Sequence, residues 1–494
     1  MIEFRNVSYS YRKNGGKNID DLNFTIHKGE FVLITGRSGS GKTTVSKCIN
    51  GLIPYFHEGI MAGDVFVGGE NTKGLALYEI GEKVGSVFQD PRSQFFTTNT
   101  TDEVAFGCQN LGMERGEILQ RITDAFCSLK IGGLRDRSIF ELSSGEKQKI
   151  AIASCRAMNS CVYVLDEPSA NLDIESIDQL GKILQVLKHS GTTIVVIEHR
   201  LYYLRELVDR ILYMDGGKIT GTYAAADIEY LNSEKLAAMG LRHFNLADIQ
   251  YCAKRVAKNR NIALKVANLE FAYKHRKSIG GTGEILRNVG FTAWGGEIIG
   301  LTGKNGAGKT TLAKVLAGLL KEKSGSIAFN DQRLRAKDRL RKTYFVMQDS
   351  DYQLFSDSVK RELELGNEQL EGLPEKCHKV LGELDLLPYE ESHPAALSRG
   401  QKQRLTIGNG IICGADVIFY DEPTSGLDAE NMKKVVKLLT EQARKGKLVF
   451  IISHDYEFLL NICSRILHLQ DGIIANDFEL EGINEPRLKK LLFT

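Results

Sequence analysis

Two short glycine-rich segments of this chain have the residue types that hold phosphate groups. GRSGSGKT occupies positions 36–43, and GKNGAGKT occupies positions 303–310. Each follows a short apolar run, FVLIT or IIGLT, and precedes a helical pattern, which predicts a strand, a loop and a helix in succession. Glycines let backbone N–H groups turn toward phosphate oxygens, and the start of the helix adds the positive end of its dipole. One isolated match would leave room for an ordinary glycine-rich loop with a surface lysine, but two matches in this context predict two phosphate sites.

The polar residues that end each loop predict the contacts with a nucleotide and its metal. Lys42 and Lys309 would reach the β and γ phosphates, and the hydroxyls of Thr43 and Thr310 would bind Mg²⁺. The residues predicted to hold the phosphates are Gly36, Arg37, Ser38, Gly39, Ser40, Gly41, Lys42, Thr43 and Thr44 in the first copy, and Gly303, Lys304, Asn305, Gly306, Ala307, Gly308, Lys309, Thr310 and Thr311 in the second.

Two apolar runs, VYVL and VIFY, each end in an Asp-Glu pair. The strand would bring Asp166 or Asp421 beside the phosphate loop, where the carboxylate holds Mg²⁺ through water. The next residue, Glu167 or Glu422, would polarise the attacking water as a general base. A solvated Asp-Glu pair at the end of a strand is the simpler reading of one copy alone. Its recurrence after four apolar residues in both copies favours catalysis.

Histidines and tyrosines recur at matching places in the two copies. His199 and His454 each follow a buried-strand pattern, TIVVIE or LVFIIS, and are predicted to contact the γ phosphate, although a lone histidine there is usually structural. Tyr11 and Tyr273 precede the phosphate loops and could stack on a base, although tyrosines are also common in strands.

A further pair of segments reads LSSGE and LSRGQ, each just before a helical pattern. Ser143 with Gly145, and Ser398 with Gly400, would form a second helix N-terminus suited to phosphate. One such pentapeptide alone would indicate only a capped helix start.

Another phrase appears twice in almost the same form, as VFQDPRSQFF (87–96) and VMQDSDYQLF (346–355). The matching segments follow one order, separated by 267 residues at the phosphate loop and by 255 at the histidine, which indicates two homologous domains in tandem. The predicted division is a first domain over 1–240, a linker over 241–261 and a second domain over 262–494. The stretch SIGGTGE (278–284) lacks a GK[ST] ending and is predicted to be a flexible loop.

Composition narrows the class of protein. The 494 residues are 42% apolar and 26% charged, which is typical of globular domains, and the net charge of +2 argues against a nucleic-acid-binding surface. Nine cysteines without paired spacing indicate free thiols in a reducing compartment. The sequence shows neither an N-terminal apolar segment for export nor an apolar run long enough to span a membrane.

Taken together, these motifs resemble those of ATP-binding cassette (ABC) ATPases with two fused nucleotide-binding domains, and the resemblance covers nearly the whole chain. It implies an α/β fold of tandem P-loop NTPase domains, each with a RecA-like parallel sheet core, an antiparallel β-subdomain and a helical subdomain. It also implies ATP and Mg²⁺ as ligands and head-to-tail pairing of the two domains within one chain. Two composite sites result, in which the first P-loop faces Ser398 and Gly400 and the second faces Ser143 and Gly145. Gln89 and Gln348 match the glutamine that touches Mg²⁺ and joins the core to the helical subdomain.

The sequence departs from the family's usual LSGGQ signature. Ser144 and Arg399 replace its first glycine, and Glu146 replaces its final glutamine. The serine and the second glycine remain, so both sites are expected to bind nucleotide.

The segment FQDPRSQFF…TDEVAFGCQNLGM (88–113) resembles the ATPases of energy-coupling-factor importers of vitamins or metal ions, and MQDSDYQLF…KRELELG (347–366) is a weaker copy. That resemblance implies two integral membrane partners, a scaffold subunit and a substrate-capture subunit, and a peripheral location on the cytoplasmic side of the cell membrane. It implies no nucleic-acid partner.

Other tandem ATPases provide the alternatives. A soluble ATPase acting on ribosomes usually carries a long charged helical linker, whereas this linker is short and mixed. A DNA-repair ATPase would need zinc-type cysteine pairs, and drug exporters lack the QDP phrase. The aromatic and aliphatic pairs that end the repeated phrase, Phe95 with Phe96 and Leu354 with Phe355, either pack the helical subdomain or line a groove for a helix of the membrane scaffold.

Overall fold

The computed structural model describes residues 1–11, 16–170, 172–252, 256–273, 283–424 and 426–493. The chain forms two units, one consisting mainly of Met1–Asp248 and the other mainly of Ile249–Leu427 and Asn431–Thr494. The division falls inside the predicted linker segment, whose first part contributes Leu241 and Phe244 to the core of the first unit. The predicted limits at 240 and 262 stay predictions, and most of the predicted loop over 278–284 lies outside the described residues.

The strands and helices of the first unit alternate along the chain. Its strands are β1 (Ile2–Ser10), β2 (Ile19–Ile26), β3 (Phe31–Gly36), β4 (Ile60–Val67), β5 (Glu70–Asn71), β6 (Val84–Val87), β7 (Val162–Asp166), β8 (Thr193–Ile197), β9 (Arg210–Asp215) and β10 (Lys218–Ala224). Its helices are α1 (Lys42–Ile49), α2 (Leu52–Tyr55), α3 (Leu77–Lys83), α4 (Thr100–Asn110), α5 (Arg115–Ser128), α6 (Ser144–Met158), α7 (Ile174–His189) and α8 (Ser233–Met239).

The larger sheet of the first unit positions the predicted site. Its order is β10-β9-β3-β8-β7-β6, and its pairs are parallel except for β10, which runs antiparallel to β9. The chain leaves β3, β6, β7 and β8 at the same edge, because the carboxyl ends of parallel strands lie together. The smaller sheet, β2-β1-β4-β5, is antiparallel.

The continuous apolar run of β3 follows from its burial on both faces. Phe31 and Leu33 belong to a cluster that also contains Ile150 of α6, whereas Val32 and Ile34 belong to a second cluster. A strand covered on both sides has no polar face, so it does not alternate.

The second unit repeats these elements. Its strands are β11 (Asn259–Ala272), β12 (Glu284–Gly295), β13 (Ile298–Thr302), β14 (Ser324–Phe329), β15 (Gln332–Arg333), β16 (Thr343–Val346), β17 (Val417–Asp421), β18 (Leu448–Ile452), β19 (Arg465–Gln470) and β20 (Ile473–Glu479). Its helices are α9 (Lys309–Ala317), α10 (Ala336–Arg339), α11 (Val359–Glu364), α12 (Leu373–Glu383), α13 (Arg399–Ile412), α14 (Ala429–Arg444), α15 (Tyr456–Ile462) and α16 (Glu485–Phe493).

The sheets of the second unit have the same connectivity as those of the first. The orders are β16-β17-β18-β13-β19-β20 and β12-β11-β14-β15, so β13, β16, β17 and β18 correspond to β3, β6, β7 and β8. The predicted α/β architecture, with its parallel core and antiparallel subdomain, is confirmed in both units.

Helices between the sixth and seventh strands of each unit form the helical subdomain. In α5, Ile118, Ile122 and Phe126 recur at helical spacing and are buried. In α12, Leu373, Cys377 and Leu381 recur at the same spacing and are buried. Each helix therefore covers the core with one apolar stripe. Within the described ranges, no helix is long and apolar enough to cross a membrane.

Candidate ATP sites

The first phosphate loop connects β3 to α1 in a conformation that requires glycine. Gly36 has a φ of 151°, and a Cβ on it would lie 2.0 Å from the carbonyl oxygen of Met214. Gly41, the residue before α1, has a φ of 95°, and a Cβ there would lie 2.6 Å from the carbonyl oxygen of Asn18. A larger residue at either position would collide with backbone, so the sequence GRSGSGKT follows from the close packing of the loop.

The lysine of each loop is buried and turned back onto the loop. Lys42 Nζ donates hydrogen bonds to the carbonyl oxygens of Gly36 and Arg37 at 2.9 and 2.7 Å. Lys309 Nζ makes the corresponding bonds to Gly303 and Lys304 at 2.7 and 3.0 Å. Burial lowers the pKa of Lys42. An ammonium group held in this way gains from an approaching anion, because phosphate oxygens would restore the solvation lost on burial.

A buried hydroxyl in the first loop also fits a phosphate. Ser40 is 3% exposed, and its Oγ has no hydrogen-bond partner among the described residues. Buried hydroxyls are normally paired, so an orphan inside a glycine-rich loop at a helix start offers a hydrogen-bond donor to the predicted phosphate. The second loop has Ala307 at this position.

A threonine and an aspartate meet below each loop. Thr43 Oγ1 lies 3.4 Å from Asp166 Oδ1, and Thr310 Oγ1 lies 3.0 Å from Asp421 Oδ2. Burial raises the pKa of each aspartate to about 6. A hydroxyl beside a buried carboxylate is an oxygen donor pair of the kind that Mg²⁺ takes in proteins, and the cation would compensate the desolvated charge. These residues therefore fit the predicted metal.

The glutamate after each aspartate has an unusual backbone. Glu167 has a φ of 45° and Glu422 a φ of 49°, both in the left-handed region that residues with a side chain rarely adopt. The Glu167 N–H is held by the carbonyl oxygen of Ile197 at 2.8 Å, and the Glu422 N–H by that of Ile452 at 2.9 Å. Such strain persists where the surrounding structure fixes it, and it concentrates at functional sites.

The carboxylate of this glutamate lies near the predicted histidine in both domains. In the first domain it also accepts a hydrogen bond from the first glutamine of the repeated phrase. His199 Nε2 lies 3.7 Å from Glu167 Oε1, and His454 Nε2 lies 3.9 Å from Glu422 Oε1. Burial, together with the charge of Lys42, holds the pKa of His199 well below its usual value, so the imidazole is neutral at pH 7. Gln89 Nε2 donates to Glu167 Oε2 at 2.5 Å.

The two tyrosines occupy matching positions over the start of the first helix. Tyr11 OH lies 3.5 Å from Thr44 Oγ1, and Tyr273 OH lies 3.5 Å from Thr311 Oγ1. Both rings remain partly exposed, at 36% and 40%. A half-exposed ring next to a phosphate loop offers a face on which a base could stack, as predicted for these two residues.

The serines of the LSSGE and LSRGQ segments begin α6 and α13. Ser143 Oγ accepts from the Glu146 N–H, and Glu146 Oε2 accepts from the Ser143 N–H at 2.8 Å. Ser398 and Gln401 make the same reciprocal pair. This arrangement is a capping box, and it needs only an acceptor at its fourth residue, so glutamate and glutamine serve equally. The contact of Ser143, Gly145, Ser398 and Gly400 with nucleotide, and the pairing of each P-loop with the other domain's signature, stay predictions.

Sequence reasoning missed the role of the second glutamine in the repeated phrase. Gln94 accepts from the Phe88 N–H at 3.3 Å and donates to the carbonyl oxygen of Ser86 at 2.6 Å. Gln353 bonds Met347 and Phe345 in the same way, at 2.8 and 2.7 Å. The recurrence of this glutamine at a fixed distance from the first one was the available signal. Its side chain closes the loop on itself and does not face the site.

The phosphate loop, Mg²⁺ donors, glutamate, histidine and tyrosine thus recur in both domains, and the whole chain is similar to known proteins. The family model described as ABC transporter matches residues 19–170 and 286–425, more than half of the chain. A Treponema denticola protein, which is named as an inferred ABC transporter ATP-binding protein, is 42% identical to this chain over 490 residues. The match covers 99% of each chain. A Methanosarcina mazei protein of the same name is 32% identical over 97% of this chain and 88% of its own. The solved structure of RNase-L Inhibitor matches 99% of this chain and 93% of its own with a TM-score of 0.63 and 22% identity, which is a likeness of fold alone. The chain therefore belongs to the ABC transporter family, as a tandem ABC ATPase whose two domains bind ATP with Mg²⁺.

Proposed function

We propose that this chain is the ATP-hydrolysing subunit of a membrane importer of the energy-coupling-factor type, carrying a vitamin or a metal ion. The observation that supports the proposal most directly is an apolar groove in the first domain, next to the segment that contains Gln89. Its proposed occupant is a helix of an integral membrane scaffold subunit, which a second, substrate-capture subunit joins. The chain would then lie at the cytoplasmic face of the cell membrane.

The groove lies between the parallel core and the helical subdomain of the first domain. It has a volume of about 270 Å³, and its walls include Leu77, Phe88, Phe95, Phe96, Phe106 and Met158. Phe96 is 74% exposed and stacks on Phe106 at a centroid distance of 5.0 Å. An open apolar groove with exposed aromatic rings suits the apolar face of an amphipathic helix.

The two residues at the end of each repeated phrase have different environments. Phe95 and Leu354 pack against the cores of their domains, whereas Phe96 and Phe355 are about three-quarters exposed, at 74% and 75%. The first member of each pair therefore packs on its core, and Phe95 also forms part of the groove wall. The second member is available to a partner, which is what the groove proposal requires.

A short segment of chain and one hydrogen bond join this groove to the proposed general base. Gln94 lines the groove, and Gln89 in the same loop donates to the Glu167 carboxylate. Movement of the loop by an occupant would displace the hydrogen-bond donor of the carboxylate. In this way occupancy of the groove would be coupled to hydrolysis at the first site.

The proposed chemistry assigns one role to each side chain. Lys42 and Lys309 bind the β and γ phosphates, and Glu167 and Glu422 accept a proton from the attacking water. His199, as a neutral imidazole, and His454 contact the γ phosphate, and Tyr11 and Tyr273 stack on the adenine. Mg²⁺, when bound, neutralises phosphate charge, and the ligands proposed for it are Thr43, Gln89, Asp166, Thr310, Gln348 and Asp421, some through water.

Each ATP would lie between the P-loop of one domain and the signature of the other, with Ser398 and Gly400 completing the first site and Ser143 and Gly145 the second. ATP binding would close the pair of domains and hydrolysis would reopen it. The repeated phrases of the two domains differ in charge at exposed positions, with Arg92 in the first copy and Asp351, paired with Lys402 at 2.7 Å, in the second. An asymmetric scaffold with two different helices would match this difference.

The decisive experiment is co-expression of the tagged chain with any integral membrane proteins that the neighbouring genes encode. We expect detergent-stable co-purification of a scaffold and a small hydrophobic capture subunit, and ATP-dependent uptake of one vitamin or metal ion in proteoliposomes. Co-sedimentation with ribosomes, without any membrane partner, would instead support the alternative of a soluble ATPase that acts on ribosomes.

A further inference from the structure

The residue before the histidine of each site differs between the two copies of this chain, and this difference changes the contacts of the proposed base. The first copy has Glu198 before His199, and the second has Ser453 before His454. Both residues follow equivalent strands, β8 and β18, and both are buried, at 2% and 0% exposure. The two copies can therefore be compared position by position.

Both residues first serve the turn that follows the strand. Glu198 Oε1 accepts from the Arg200 N–H at 3.1 Å, and Ser453 Oγ accepts from the Asp455 N–H at 3.1 Å. Each thus caps the backbone N–H two residues later, which is a common use of short polar side chains in turns. After that bond is made, only serine retains a hydrogen that it can donate.

Ser453 donates that hydrogen to the proposed base of its own domain. Its Oγ lies 3.2 Å from Glu422 Oε2, and the bond is buried. Because a carboxylate oxygen has no hydrogen to donate, the hydroxyl of Ser453 is the donor in this bond. A hydrogen bond from a neutral donor to a buried carboxylate is of the stronger kind and orients the acceptor.

Glu198 in the first copy is directed elsewhere. Its Oε2 accepts from the Ser169 N–H at 3.2 Å and from Tyr203 OH at 2.9 Å, and its Oε1 also accepts from the His199 N–H at 2.7 Å. Being an acceptor, the carboxylate offers Glu167 no hydrogen bond. The Oε2 of Glu167 instead receives Gln89 Nε2, from the loop beside the groove.

A second contact also differs between the copies. Gln403 Nε2, on α13, donates to the backbone carbonyl oxygen of Glu422 at 2.7 Å. The matching Gln148 on α6 is 3% exposed, and its Nε2 has no partner among the described residues. Glu422 is therefore held by the core of its domain at both its backbone and its side chain.

We propose that Ser453 is a positioning residue for Glu422, so that the base of the second site is oriented by a strand end of the core, whereas that of the first is oriented through Gln89. The inference rests on the proposed role of Glu167 and Glu422 as general bases. It predicts that the two sites hydrolyse ATP with different dependence on these two side chains.

The test measures single-turnover hydrolysis of Mg²⁺-ATP by the purified full chain, with protein in excess, in Glu167→Gln and Glu422→Gln backgrounds. In the Glu167→Gln background, Ser453→Ala should lower the rate about tenfold, the size expected for one hydrogen bond to a charged group. ATP affinity should stay within about twofold, because the bond positions the base and does not touch nucleotide. Ser453→Thr, which keeps the hydroxyl, should restore most of the rate. In the Glu422→Gln background, Ser453→Ala should have no further effect.

Ser464→Ala is the matched control, since its hydroxyl donates to the carbonyl oxygen of Ile298 at 3.2 Å and lies on the same domain. The proposal would be overturned if Ser453→Ala left the hydrolysis rate unchanged or lowered it equally in both backgrounds. It would also be overturned if Ser453→Thr did not restore the rate, or if ATP affinity fell in parallel with the rate. If Glu167→Gln and Glu422→Gln themselves hydrolyse ATP at the wild-type rate, the proposed function of these glutamates fails and the inference fails with it. If both slow hydrolysis and Ser453→Ala does not, the inference alone is wrong.

Discussion

Gln89 and Glu167, which are 78 positions apart in the chain, are joined by a hydrogen bond of 2.5 Å from the side-chain amide to the carboxylate. The glutamine begins the loop that lines the groove, and the glutamate directly follows the strand that supplies the Mg²⁺ donor. A partner surface and a reaction centre thus share one polar contact in the first domain.

The first prediction concerns the two glutamates. Glu167→Gln or Glu422→Gln should spare ATP binding and slow hydrolysis sharply, since the loss of a positioned base costs roughly 100- to 10,000-fold. The double variant should retain ATP in a closed pair of domains, seen as nucleotide that remains bound through gel filtration. Steady-state hydrolysis near the wild-type rate in the double variant would reject the assignment.

The second prediction concerns which signature completes which site. Lys42→Ala removes a charged contact with phosphate and should weaken nucleotide binding at the first site about tenfold or more. Ser398→Arg should impair the same site as Lys42→Ala, and Ser143→Arg should impair the site of Lys309. Site-resolved photocrosslinking of an azido-ATP, with peptide mapping of the labelled P-loop, measures this. Loss of labelling at the first P-loop in Ser143→Arg would contradict head-to-tail pairing.

The third prediction follows from the buried Asp166. Burial raises its pKa to about 6, against an ordinary value of 3.8. The folded protein therefore binds more protons than the unfolded chain between these values, and this group's contribution lowers stability as pH rises through that window. Asp166→Asn keeps the shape and removes the charge. At pH 7, without nucleotide, it should raise the free energy of unfolding by up to about 3 kcal/mol.

Thermal unfolding at pH 7 and at pH 5 measures this effect. The gain from Asp166→Asn should shrink at pH 5, where the wild-type carboxyl is already largely protonated, and Mg²⁺-ATP should stabilise the variant less than the wild type. Asp178→Asn, an exposed carboxylate on α7, is the control and should change little. A variant that is less stable than the wild type at pH 7 without nucleotide would disprove the electrostatic argument.

The fourth prediction concerns the groove. Phe96→Glu and Arg92→Glu should weaken co-purification with the membrane scaffold, because one places a charge in an apolar contact and the other reverses a surface charge. ATP affinity of the isolated chain should stay unchanged. Ile483→Glu, at a position 84% exposed and absent from the groove wall, should leave the complex intact. If binding of the scaffold survives both substitutions, or if ATP affinity falls together with that binding, packing remains the role of this segment.

Much of the fold and of the site could be predicted from local patterns that have one physical meaning. A buried strand followed by GRSGSGKT and a helix has few alternatives, and Asp166 after four apolar residues must lie at a strand end. The different environments of Phe95 and Phe96 could not be predicted, because neighbouring aromatic residues look equally apolar in a sequence. The use of Ser453 could not be predicted either, because it depends on the direction of one hydroxyl in three dimensions.

The loop between β6 and α4 is closed by its own side chain, with Gln94 bonded to Ser86 and Phe88. Because these two bonds tie the loop to itself, the loop resists straightening. A displacement at its groove end should therefore reach Gln89 with its size and direction largely kept. We therefore expect the segment to move as a rigid unit that carries Gln89 with it. Gln94→Ala would remove these two bonds, keep both ends of the segment and make the segment flexible.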